Sequence, residues 1–291
     1  MKFAIFLGCN IPARVKQYES SSRELLSRLG IELVDCREFT CCGYPLRNVD
    51  YKAFLLSAAG NLAFAERKGL DILALCKCCF GSLKEAQHRL RENEKLRHEI
   101  NELLKESGLT YEGGSQVKHL LSVLHQDVGL NALKSACTER FKNLKIATHY
   151  GCHALRPSRV TTFDNPVAPI IFDELVAATG AASLKWHEKL NCCGAPLMGI
   201  NDRLSMDLTQ KKLDSGLQAG ADYLCTACPW CQLQFDQVQK RMISLNGGKK
   251  PLPSILYPQL LGLCMGLDLE TLGLNQNQLE INNIGSFLTE E

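Results

Sequence analysis

The chain repeats itself, and a repeat of this length restricts it to architectures built from two like halves. The run Phe3-Ala4-Ile5-Phe6-Leu7-Gly8-Cys9 returns as Lys145-Ile146-Ala147-Thr148-His149-Tyr150-Gly151-Cys152, with Arg14 and Arg156 close behind. Phe39-Thr40-Cys41-Cys42-Gly43-Tyr44-Pro45-Leu46 matches Leu190-Asn191-Cys192-Cys193-Gly194-Ala195-Pro196-Leu197. Residues 71–75 lead into Cys76-Lys77-Cys78-Cys79, and residues 221–224 lead into Cys225-Thr226-Ala227-Cys228-Pro229-Trp230-Cys231. Leucine-rich echoes close each copy, at residues 117–124 and 255–263. The offset is 143 residues at the first cysteine and 151 or 152 at the later ones, which one insertion of about eight residues between Cys152 and Cys192 explains.

Each half reads as α/β. Apolar runs of strand length (residues 3–7, 31–34, 72–75 and 146–148) alternate with helical patterns at residues 21–29, 54–67 and 206–218. That alternation predicts two pseudo-symmetric repeats, each a small parallel sheet flanked by helices. The boundaries expected are residues 1–143 and 144–291, the first repeat including a charged, helical connecting segment over 81–107. Its charges suit a solvated helix with i,i+4 pairs, or a docking surface for a partner subunit. The cysteines fall where strands end and loops begin, the usual place for ligand sites in open parallel sheets.

Fifteen cysteines in 291 residues are many for a chain with 45% hydrophobic residues, which needs no disulfides to hold a core. The count is odd, and Cys41–Cys42, Cys78–Cys79 and Cys192–Cys193 are directly adjacent, a spacing that suits bridge geometry badly. The first apolar run is only five residues long, short of a secretory segment, and residues 254–265 are interrupted by Pro258 and Gln259. A reducing, cytoplasmic setting follows as the expectation, with no membrane insertion. A net charge of +2 without a Lys/Arg-dense stripe argues against nucleic-acid binding.

Aligning the copies isolates two sets of five thiols. The first is Cys9, then Cys41 and Cys42 after 31 residues, then Cys76 and Cys79 after 33 more. The second is Cys152, then Cys192 and Cys193 after 39, then Cys228 and Cys231 after 34. Soft thiolates select iron–sulfur clusters or zinc. Cys-x-x-Cys brings two sulfurs to one turn, and Gly43 and Gly194 let the backbone turn closely around the site. Five thiolates exceed the four that tetrahedral zinc or a simple cubane needs. Two zinc sites would leave one thiol per half without a role. A catalytic dithiol at Cys228-Pro229-Trp230-Cys231 resembles a thioredoxin-like motif, but the matched copy reads Cys76-Lys77-Cys78-Cys79. Outside the pattern, Cys137 and Cys264 suit small core positions, whereas Cys36, Cys78 and Cys225 lie near the sets.

With both Gly-Cys starts, both Cys-Cys-Gly motifs and both Cys-x-x-Cys ends present, the chain resembles the family of heterodisulfide reductase B-type subunits, defined by duplicated cysteine-rich CCG domains, over its whole length. The resemblance implies a non-cubane 4Fe–4S cluster in each half, with the ten cysteines above as ligands, the two clusters facing one another across a disulfide. It implies a soluble or peripherally attached complex with a small cubane-carrying chain (C-type) and a flavin-binding chain (A-type), as in methanogenesis. Related chains often carry a ferredoxin-like cysteine run; this one does not, so cubanes would sit on a partner. Two clusters suit a two-electron disulfide reduction made of one-electron transfers. His149, His153 and His187 lie near ligand cysteines as candidate proton donors or hydrogen-bond partners of cluster sulfur, and Arg156 as a candidate anion-binding residue. The competing expectation is an electron-relay subunit of a quinone- or dehydrogenase-linked complex with no disulfide substrate.

Overall fold

The computed structural model of the chain describes residues 1–246 and 250–290. The strands among them are β1 (Lys2–Phe6), β2 (Glu32–Asp35), β3 (Asp71–Ala74), β4 (Val117–His119), β5 (Glu139–Phe141), β6 (Lys145–Thr148), β7 (Ala182–Ser183), β8 (Tyr223–Thr226), β9 (Ser254–Leu256) and β10 (Leu288–Glu290). Eight of these form two parallel sheets of identical connectivity, β2-β1-β3-β4 and β7-β6-β8-β9. The antiparallel pair β5–β10 stands apart.

The two α/β repeats expected from the alternation are present, and the expected strands fall within a residue of the observed ones. Central strands are buried along nearly their whole length, β1 from Phe3 to Phe6 and β8 throughout, because helices cover both faces of such a sheet. The leucine-rich echoes supply the fourth strand of each sheet, and the second continues into the helix Tyr257–Cys264, every residue of which is buried. Residues 81–107 are helical, as Lys77–Glu92 and Glu94–Leu104 followed by a short 3-10 turn. They carry the i,i+4 pairs His88–Glu92 and His98–Glu102, and Arg89 reaches back to the buried Glu85. The inner face of Lys77–Glu92 buries Phe80, Leu83, Ala86 and Leu90.

In both sheets the first strand lies between the second and the third, so the chain reverses its direction of winding beside that strand. The crevice at the carboxyl ends of such neighbouring strands is where open α/β sheets bind ligands. Cys9 follows β1 and Cys76 follows β3; Cys152 and Cys228 follow β6 and β8.

By contacts the chain forms two compact units whose membership interleaves along the sequence. One holds Met1–Cys9, Gly30–Leu120 and His153–Pro166; the other holds Asn10–Leu29, Leu121–Cys152 and Val167–Glu291. The segment after each Gly-Cys start thus belongs to the unit built mainly from the other repeat. In the second unit the helix Lys16–Arg28 packs on Tyr257–Cys264. In the first, Phe163 meets the rings of Phe80 at 6.2 Å and His119 at 5.8 Å. No helix among the described residues is long and apolar enough to cross a membrane.

Candidate metal centres

Each Cys-Cys-Gly motif is a turn locked by its own glycine. Gly43 has φ +79° and Gly194 has φ +92°, the left-handed region that favours glycine. A side chain at either would also strike the following helix, at Phe54 O (2.7 Å) for Gly43 and at Ser205 O for Gly194. This turn aims consecutive N–H groups at the two sulfurs. Gly43 N–H donates to Cys41 and Tyr44 N–H to Cys42; Gly194 N–H donates to Cys192 at 3.4 Å and Ala195 N–H to Cys193. Pro45 and Pro196 then start a short 3-10 helix, where a missing N–H costs nothing.

The Cys-x-x-Cys motifs sit at helix starts. Cys76 is the N-cap of Lys77–Glu92, and Cys228 the N-cap of Pro229–Leu233. Cys79 and Cys231 stand three residues on, one turn along the same helix, so the two sulfurs of each pair come within hydrogen-bond reach of one another. The Gly-Cys turn completes the first set: Gly8 has φ +66°, and a Cβ there would lie 2.8 Å from Cys79 Sγ.

The sulfurs of each set touch in series. All are free thiols: Cys41 hydrogen-bonds with Cys42, Cys42 with Cys79 and Cys79 with Cys76, and Cys9 is in electrostatic reach of Cys41. Cys152 hydrogen-bonds with Cys192, Cys192 with Cys193, Cys193 with Cys231 and Cys231 with Cys228. In each, three thiols are buried (Cys42, Cys76 and Cys79; Cys193, Cys228 and Cys231) and two are more open (Cys9 and Cys41; Cys152 and Cys192).

These contacts set the proton affinities. Cys42 is pushed down to about 3, first by the hydrogen bond from Cys41 and next by that from Cys79. Its neighbours move the other way: the bond to Cys42 raises both Cys41 and Cys79. In the second set the bond to Cys192 raises Cys152 and pushes Cys193 up to about 12, and the bond to Cys193 raises Cys231. Left alone, such an array holds most of its protons, because neighbouring thiolates repel and burial penalises charge. A cationic iron centre bound there would offset both penalties and hold the sulfurs as anions. The clustered sulfurs, with N–H donors aimed at the Cys-Cys pairs, suit iron–sulfur binding.

The other candidates separate. His149 is buried at the end of β6, edge-on to Phe235 at 5.0 Å, with a ring nitrogen within 4.8 Å of the Cys193 and Cys231 sulfurs. His153 belongs to the first unit although it follows Cys152 in sequence; its Nδ1 lies 3.5 Å from Cys78 Sγ and its ring 5.0 Å from that of Tyr44. Arg156 is exposed, and the His187 side chain is 87% exposed beside Glu188. Cys225 lies within β8, buried opposite Thr148. Cys36 is half-buried just after β2. Cys137 and Cys264 bury together and share a hydrogen bond.

Sequence reasoning missed the residues that fasten the loops from behind. In the first repeat Asn61 accepts Thr40 N–H at 2.8 Å and donates to Cys41 O at 3.0 Å, and Ser57 donates to the same oxygen. In the second, Thr209 donates to Cys193 O, Ser205 to Gly194 O, and Lys212 Nζ to Asn191 O at 3.0 Å and to Glu188 O. Asn61 and Lys212 align through the equal helices Tyr51–Arg67 and Asp202–Gln218. A lysine in a helix reads as surface, so only that alignment could have singled it out.

Comparison with known proteins places this double arrangement. A cysteine-rich domain family, CCG, matches at residues 3–84 and again at 146–236. The chain is 36% identical over 283 residues to the B-type subunit of the ferredoxin/F420H2-dependent CoB-CoM heterodisulfide reductase of Methanosarcina acetivorans, covering 96% of this chain and 94% of that one. It is 33% identical over 285 residues to the 8-methylmenaquinol:fumarate reductase membrane anchor subunit of Wolinella succinogenes, covering 98% and 99%. Lactate utilization protein A of Macrococcus caseolyticus is more distant, 23% identical and covering 81% and 88%. The fold also resembles a crystal structure of a hypothetical protein from Helicobacter pylori (TM-score 0.75, 17% identity), which covers 97% of this chain and 52% of that one. The chain belongs to the family of heterodisulfide reductase B-type subunits, with two copies of the cysteine-rich CCG domain.

Proposed function

We propose that this chain is an iron–sulfur subunit of a heterodisulfide reductase-type oxidoreductase, binding one non-cubane 4Fe–4S cluster in each five-thiol set and reducing a small-molecule disulfide. The observation that carries the reading is the pair of five-sulfur arrays held in one backbone frame, one thiol more in each than zinc or a cubane takes. The bound clusters supply electrons one at a time. A disulfide takes up two electrons and two protons and leaves as two thiols, and two sets match that two-electron demand. The chain's own part is to hold the sulfurs as anions, to leave Cys9 with Cys41 and Cys152 with Cys192 at the open side of each set, and to keep water from the three buried thiols. His149 and His153 stand close enough to thiols of their own units to hydrogen-bond cluster sulfur or to hold a proton. Electrons arrive from partner subunits, a small cubane-carrying chain and a flavin-binding chain, in a soluble or peripherally attached cytoplasmic complex.

A second reading has one specific support, the similarity to the Wolinella anchor subunit over nearly the full length of both chains. In it the chain relays electrons to or from a quinone-linked partner and meets no disulfide. The deciding experiment begins with iron and acid-labile sulfide analysis of anaerobically purified protein. The reduced complex is then mixed by stopped flow with a heterodisulfide and, separately, with a quinone. Reoxidation by the disulfide supports the first reading, and reoxidation by the quinone alone supports the second. Zinc without sulfide sinks both.

A further inference from the structure

Lys212 is an ammonium placed where a neutral group would do. It is 0% exposed on the inner face of Asp202–Gln218. Two of its contacts are the main-chain oxygens of Asn191 and Glu188, just before Cys192, and its Nζ lies 4.9 Å from the centre of the Trp186 ring. The first repeat fastens the same stretch with the uncharged amide of Asn61. Anchoring the loop therefore does not require a charge, while burying one costs several kcal/mol unless anions face it. The groups in electrostatic reach are Cys193, Cys231, Glu188 and Cys192. Burial draws the ammonium down and those groups oppose the fall, while two main-chain oxygens and the face of the Trp186 ring give Nζ the surroundings of a protonated amine. The first set has a buried lysine of its own, Lys77, but from a different place in the frame, aligned with Pro229.

We propose that Lys212 is a positioning residue for the second thiol set: it ties the Cys-Cys-Gly loop to the helix behind it, and its fixed positive charge raises the reduction potential of the iron–sulfur group bound there. The proposal rests on the cluster reading given above. Thiolate ligands make such a group anionic, and a gained electron adds one more negative charge. A cation held in a low-dielectric interior stabilises the reduced form more than the oxidised one. The Glu188 carboxylate, held by Asn191, Lys211 and His187 and in electrostatic reach of Lys212, acts with the opposite sign.

The test is an anaerobic redox titration of the iron-loaded chain with dithionite and mediators, followed by paramagnetic resonance. Signals are assigned to each set with Cys42→Ser and Cys193→Ser. Lys212→Gln, which keeps a donor for the main-chain oxygens, is expected to disfavour reduction of the second set at least tenfold, ~59 mV for one electron. Lys212→Arg keeps the native midpoint, Glu188→Gln raises it, and the first set stays put in all three. A fully loaded Lys212→Gln with an unmoved midpoint overturns the proposal, as does a Glu188→Gln shift of the same sign. If Lys212→Gln holds no iron in the second set, Glu188→Gln decides: a rise supports the proposal and an unmoved or lowered midpoint overturns it. Native protein free of iron and sulfide overturns the cluster reading itself, a distinct result.

Discussion

The two thiol sets share a front and differ behind it. In front, both have a Gly-Cys turn, a left-handed glycine after paired cysteines, and Cys-x-x-Cys at a helix start. Behind, Phe6 faces His149 in the alignment, Phe54 and Ala58 face Ser205 and Thr209, and Asn61 faces Lys212. The front is repeated because the backbone makes it: N–H groups aimed at sulfur need one particular turn, and only glycine turns that way without strain. The back is free to diverge because it meets main-chain oxygens, which an amide, a hydroxyl or an ammonium can each satisfy. Such divergence leaves the sulfur geometry intact while changing the charge around it.

The strongest way to break the comparison is to remove one sulfur from each front. Cys42→Ser and Cys193→Ser should each lose about half of the bound iron, as expected of a thiolate site deprived of a buried ligand. Metal analysis beside the resonance spectrum checks this; a variant that keeps all its iron would falsify the assignment of that set.

The glycines come next. Gly43→Ala and Gly194→Ala each incur the left-handed cost of about 1–2 kcal/mol and a collision with the following helix worth roughly 1–3 kcal/mol more. Gly30→Ala, also left-handed but facing open space, serves as the control. Denaturant midpoints should fall clearly further for the first two. Equal losses at all three would show that close approach does not matter there.

A smaller effect divides the repeats. Four residues before the paired cysteines stand Arg37 in one copy and Glu188 in the other. Burial works to raise the Glu188 carboxyl, but hydrogen bonds from Asn191, Lys211 and His187 outweigh it and hold the group near 2. Being depressed below an unfolded value of about 4.3, it contributes stability that is complete above that pH and is lost as pH falls toward 2. Glu188→Gln should therefore cost on the order of 2 kcal/mol at neutral pH and nothing near pH 2. Urea titrations of the metal-free chain across that range would detect it, and a pH-independent cost would contradict the sign.

The smallest effect should be the same in both repeats. Asp50 accepts Ala53 N–H and Asn201 accepts Leu204 N–H, capping the two equal helices. Alanine at either cap should cost about 1 kcal/mol, and thermal melts showing unequal losses would mean that the shared frame is less alike than its hydrogen bonds indicate.

The cysteine pattern was legible because each motif acts within a few residues. The strands were legible because buried parallel strands are plain apolar runs. Helix starts were less so: the apolar rhythm begins at Phe54, but the helix starts at Tyr51 because Asp50 caps it. In the second copy the pattern appears at Met206, four residues after the helix begins at Asp202. The fourth strands were visible only as leucine-rich echoes, being three residues long. His153 shows the limit most clearly, since its sequence neighbour is Cys152 while its packing partners are Cys78 and Tyr44.

From its order of residues alone, the chain determined two sets of five thiols, the turns that present them and the α/β class of both repeats. Those features rest on local φ angles, helix ends and the apolar rhythm of short segments. Tertiary structure decided which unit residues 10–29 and 153–166 join, and that Lys212 is buried behind a thiol set instead of lying in solvent. Such outcomes depend on which distant apolar faces bury together, a sum over many weak contacts that no single stretch of sequence contains.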